Sequence, residues 1–114
     1  MSDLLGKLQV KPGQSIAVVG GVPEGSDDWN LTTDLDTADA VLLYVRDAAE
    51  LAAAMHRLQQ VADRGALCWL AYPKSGQLGT DLDRDRIRKS VVGLDTVRQI
   101  AIDETWSALR LKNV

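Results

Sequence analysis

The sequence predicts an α/β domain: a three-layer, mostly parallel sheet of about five strands that ends in an antiparallel hairpin. Three observations carry that prediction. Ile16-Ala17-Val18-Val19, residues 40–45 and residues 66–71 are continuous apolar runs, as strands covered on both faces require. Between the second and third runs, Leu51, Met55, Leu58 and Ala62 recur at helical spacing. The last two strand-like segments are only about four residues apart, a connection that permits an antiparallel pair and no crossover.

In chain order, Leu4, Leu5 and Leu8 share one face of a short helix. It ends before Lys11-Pro12-Gly13, a turn that delivers the chain into the first strand, and Gly20-Gly21 stop that strand. Residues 22–37 are polar, punctuated by Pro23 and Gly25, and show no helical period. Trp29 and Leu31 anchor this stretch to the core, or residues 29–33 form a short edge strand. After the second strand, Asp47 and Glu50 make a capping-box pattern, and Gly65 ends the helix over residues 51–62. The resulting strand–helix–strand unit is right-handed and parallel. Pro73 closes the third strand and residues 74–79 form a loop. Thr80 or Asp81 is placed to cap a helix over residues 82–92, with Ile87 and Val91 inward and Gly93 at its end. Residues 96–102 and 106–111 make the hairpin.

Composition narrows the class further. With 114 residues, 46% apolar and 25% charged, the chain has room for one core and enough apolar surface to fold around it. A net charge of −3 without a basic stripe argues against nucleic acid. No stretch approaches the ~20 apolar residues of a membrane span, and the first residues lack a signal-peptide core. A cytoplasmic protein is expected. Cys68, the only cysteine, lies in an apolar run and reads as an inert core thiol; neither a disulfide nor a cysteine metal cluster is available.

This order of elements resembles a class I methyltransferase, a Rossmann-like fold, with its second and third strand units removed. Residues 4–21 resemble that family's entry into its first strand, and Leu109 and Leu111 would lie on the antiparallel last strand. The family holds S-adenosylmethionine with an acidic residue and glycines at the end of strand one. Here Ala17-Val18-Val19-Gly20-Gly21 carries no carboxylate, and the strand that supplies an acidic ribose ligand has no counterpart. Methyl transfer is therefore not expected, and no cofactor is assigned. A closer resemblance is to the bacterial family named domain of unknown function 3052 (DUF3052). It is carried by Lys11-Pro12-Gly13-Gln14, Leu70-Ala71-Tyr72-Pro73-Lys74, Thr80-Asp81-Leu82 and Asp103-Glu104-Thr105-Trp106-Ser107-Ala108-Leu109-Arg110. The resemblance implies a fold and a bacterial origin, and brings no activity with it.

The chemical motifs are mostly negative. Gly20-Gly21-Val22-Pro23-Glu24-Gly25 is not a dinucleotide fingerprint, and Lys74-Ser75 lacks the glycine of a phosphate-binding loop. His56, the only histidine, sits at the border of an apolar helix face; no nucleophile elbow surrounds Ser107 to make a triad with it and Asp103. Asp81, Asp83 and Asp85 alternate with Arg84 and Arg86, which suits a solvated helix start rather than a metal. No catalytic residue and no metal ligand is assigned.

One constellation remains. Ligands of open parallel sheets bind beyond the carboxyl ends of the strands. Those ends carry Gly20, Gly21, Arg46 and Lys74, joined by Asp103 and Trp106 if the hairpin turn lands on the same edge. Arg46 and Lys74 supply positive charge, Asp103 a carboxylate and Trp106 a stacking face. Alternatively Asp103 caps the hairpin and pairs with Lys74, while Trp106 fills the core. The expected function is a non-catalytic binding or regulatory module for an anionic small molecule or a protein partner at this edge. Two alternatives stay open: a reduced transferase-like enzyme with Lys74 and Asp103 handling charge, and an oligomerisation module. In the latter, the last strand lies at the sheet edge and pairs with a second copy in a homodimer.

Overall fold

The computed structural model describes residues 4–11, 13–21, 23, 29–74 and 77–113. Pro12, Gly25 and Ser75, on which parts of three expected loops rest, lie outside the described residues. The elements are α1 (Leu4–Lys7), β1 (Ile16–Val19), β2 (Ala40–Tyr44), α2 (Ala48–Asp63), β3 (Leu67–Pro73), α3 (Arg84–Ser90), β4 (Leu94–Ala101) and β5 (Trp106–Asn113). A short 3-10 turn, Gln77–Gly79, precedes α3.

β1, β2 and β3 are parallel neighbours, in a register that sets Ile16 beside Ala40 and Val41 beside Cys68. All five residues of β2 are buried, as befits a strand covered on both faces. Leu31 makes a single parallel bridge to Ile16, so residues 29–33 graze the sheet without forming a strand.

The sheet order is β1-β2-β3-β5-β4. β5 runs antiparallel to both β3 and β4, so β4 points the same way as β1, β2 and β3. This corrects the expectation that the last strand lies at the edge: β5 is internal and β4 is the edge. The reason is in the side chains. β5 buries Leu109 and Leu111 on one face and Ala108 on the other, whereas β4 presents Asp95, Arg98 and Gln99 to solvent.

The two faces are covered unequally. On one, Leu51, Leu58, Val61 and Ala62 of α2 and Ile87 of α3 pack on Val41, Leu43, Leu70 and Leu109. On the other, Leu4, Leu8, Val10 and Trp29 cover Ile16, Leu42 and Trp69, and the Trp69 indole donates to the Leu8 carbonyl at 2.9 Å. The second cover is therefore one helical turn and irregular chain. Over β4 and β5 it thins: Ile100, Ile102 and Trp106 stay half-buried on that face, and Arg98 is exposed.

α3 is shorter than its apolar spacing suggests. Asp83 caps it, accepting from the Arg86 amide at 2.7 Å. Thr80 receives the Leu82 amide instead, and Asp81 serves another helix. Among the described residues, no helix is long and apolar enough to cross a membrane.

Candidate functional site

Gly20, Gly21, Arg46, Lys74, Asp103 and Trp106 all sit at the carboxyl edge of the sheet, because β4 is parallel to β1–β3 and its hairpin turn lands there. Gly20, Gly21, Asp103 and Trp106 have a common neighbour in Tyr44, the last residue of β2, which the sequence reading did not single out. An aromatic ring ending an otherwise aliphatic strand was the available signal. The Trp106 ring meets the Tyr44 ring edge-on, centroids 4.8 Å apart at 74°. On the other side the Gly20-Gly21 backbone lies against it. A Cβ on Gly21 would stand 2.9 Å from the Tyr44 ring, and one on Gly20 would stand 2.9 Å from the Tyr44 carbonyl oxygen. Gly20 also holds φ +82°, so only glycine suits the position on both counts.

Burial, and secondarily the negative charge of Asp103, push the Tyr44 hydroxyl up to about 12. Tyr44 is thus a neutral phenol at the centre of the edge. Asp103 does what the alternative reading gave it: its carboxylate accepts the amides of Thr105 and Trp106, both at 2.8 Å, and closes the hairpin turn. No ion pair joins it to Lys74 among the described residues. Lys74 is tied in through its backbone instead, donating to the Thr105 carbonyl at 2.7 Å. Trp106 is half-buried rather than a full core residue.

Arg46 reaches back to the Gly20 carbonyl at 3.3 Å and pairs with Glu50 at 3.7 Å, the only ion pair among the described residues. Glu50 also accepts the Arg46 amide at 2.6 Å. The start of α2 is the place where sheets of this kind offer amide donors to an anion. Here two of those donors are filled from within. Asp47 accepts the Glu50 amide at 2.8 Å, and Asp81, thirty-three residues further on, accepts the Ala48 amide at 2.9 Å. Among the described residues, the carboxylates Asp47, Glu50, Asp81, Asp103 and Glu104 lie around this edge together with the cations Arg46 and Lys74.

The remaining candidates stay apart. His56 is exposed on α2, and Cys68 is fully buried, its thiol pushed up to about 12 by burial. No cluster of three or more histidine, cysteine or acidic side chains suited to a metal is present among the described residues. Comparison with family models, with curated proteins and with solved structures returns no match.

Proposed function

We propose that the protein is a non-catalytic binding module whose carboxyl edge receives a protein partner presenting basic side chains. One observation carries the choice of partner: the Ala48 and Glu50 amides at the start of α2 are already bonded to Asp81 and Asp47. An anionic small molecule at this edge would have to displace the chain's own carboxylates and face Asp103 and Glu104 as well. A basic protein surface meets the same groups as complements, with the half-buried Trp106 as an apolar contact among them. The neutral Tyr44 and the protonated, enclosed Cys68 support a binding role over a catalytic one, since neither offers a nucleophile near neutral pH.

The fold belongs to the same proposal. Four strands pointing one way, with helix α2 crossing between β2 and β3, support a reduced Rossmann-like arrangement. The DUF3052-like motifs contribute Lys74, Asp81 and Asp103 to the edge. A homodimer formed through the edge strand β4 is the weaker reading, because β4 has a register break between Thr96 and Arg98 and an exposed arginine, both of which deter strand pairing.

The test is site-specific photo-crosslinking in the cell of origin, with the probe at Glu104 and, as control, at Val92 at the other end of the sheet. The reading expects one protein captured from Glu104 and not from Val92. Its binding, reconstituted from pure components, should weaken at least tenfold in Asp103→Asn with Glu104→Gln. Equal capture from both positions, or binding indifferent to the two charges, overturns it.

A further inference from the structure

The open sheet face over β4 and β5 carries an arrangement that the carboxyl edge does not explain. Arg98 and Arg110 stand directly opposite each other on adjacent antiparallel strands, and hence on the same face. Like charges so placed repel, and among the described residues neither arginine has a carboxylate partner. Arg110 is instead held by a neutral group, its Nη1 donating to the Gln9 side-chain oxygen at 2.5 Å. Gln9 itself adopts φ +64°, the only non-glycine residue in the left-handed region among those described. It ends α1 there, where a glycine would be relaxed. The turn that ends α1 thus sets an amide beside one guanidinium and leaves its charge in place.

The surroundings add direction. Ile100 is next to Arg98 on this face, and Ile102 and Trp106 continue the same face towards the hairpin turn, all three half-buried. The surface therefore reads as two adjacent guanidiniums at one end and an apolar strip at the other.

We propose that this face is a binding site for a small amphipathic oxyanion. Its carboxylate or phosphate head lies between Arg98 and Arg110, and its apolar tail lies along Ile100 and Ile102 towards Trp106. Two guanidiniums offer paired N–H donors to a planar or tetrahedral oxyanion, and the head supplies a neutralisation that no described residue gives. The site shares Trp106 with the carboxyl edge but takes its charge from Arg98 and Arg110, so Arg98→Gln tests it without touching the groups on which the protein-partner reading rests.

The experiment is calorimetric titration of the full chain with octanoate, octyl phosphate, octanol and inorganic phosphate, following the Trp106 indole resonance alongside. Expected is saturable binding of at least one of the two octyl anions, at least tenfold tighter than octanol or inorganic phosphate, with the Trp106 resonance moving. Which octyl anion binds better identifies the head group. Arg98→Gln and Arg110→Gln should each weaken binding at least tenfold. Because Arg110→Gln also loses the Gln9 bond, Arg98→Gln is the decisive variant: its Tm without ligand should rise as the repulsion is relieved. Octanol equal to the octyl anions, inorganic phosphate equal to octyl phosphate, no binding of either octyl anion, or a lowered Tm in Arg98→Gln each overturns the proposal.

Discussion

Tyr44 holds the carboxyl edge together through what is absent on one side of it and present on the other. The Gly20-Gly21 backbone occupies the space that two Cβ atoms would need, and Trp106 closes the opposite side. Gly20→Ala therefore meets a left-handed φ and a carbonyl oxygen together, and should cost about 2–4 kcal/mol in urea unfolding. Gly13 has a similar φ, +87°, but open space beyond it, so Gly13→Ala should cost only about 1–2 kcal/mol. Equal costs would show that the contact with Tyr44 does not matter. Tyr44 and Cys68 also set a response to alkali. Their ordinary values are 10.0 and 9.0, and both rise to about 12 in the fold. Below about pH 8 neither ionises appreciably in either state, so their contribution is constant. Above that the unfolded chain loses protons that the folded chain keeps, and stability falls as pH rises towards 12. The urea midpoint should drop between pH 8 and pH 11, and Cys68→Ala should remove the part of that drop that begins near pH 9. A midpoint that is flat across that range contradicts the assignment. At this scale the sequence was readable where one residue type settles a conformation, as at Gly20. It was silent on Tyr44, whose role depends on three segments meeting.

Between elements, the start of α2 shows how far apart two halves of one cap can lie. Asp47 was legible as a cap because its partner is three residues away; Asp81 was read as a cap for its own helix and instead bonds Ala48. No local pattern announces such a contact. Asp81→Ala should therefore destabilise by about 1 kcal/mol, as loss of a cap does, with the amides of the first turn of α2 exchanging faster and those of α3 unchanged. If α3 responds instead, Asp81 belongs to the nearer helix after all. The hairpin was legible for the opposite reason, since a connection of four residues leaves one topology. Which of its strands lies inside was also written in the chain. Trp106, Ala108, Leu109 and Leu111 are apolar on both faces of β5, while Asp95, Arg98 and Gln99 mark β4 as the strand that meets water.

For the molecule as a whole, the division between scaffold and surface predicts which substitutions unfold it. Trp69 is fully buried with its indole bonded to Leu8, so Trp69→Ala should cost about 3–5 kcal/mol. Lys74 has no ion pair among the described residues, so Lys74→Ala should cost less than about 1 kcal/mol by denaturant unfolding. A Lys74→Ala protein as unstable as Trp69→Ala would make Lys74 a structural charge and remove it from the edge. The parallel core was legible because β1–β3 are short and apolar, with one clear helix between β2 and β3. The second cover was not, because α1 is a single turn and the chain around Trp29 has no period to read. The position of β5 has a further consequence for a chain emerging from a ribosome. β4 leaves the exit tunnel before β5, yet it has no place in the sheet until β5 has docked against β3. Until then the nascent chain carries two open strand edges, one on β3 and one along β4. A pause with residues 101–106 at the mouth of the tunnel would leave both exposed, and chaperone engagement should peak over that interval and end once β5 is free to insert.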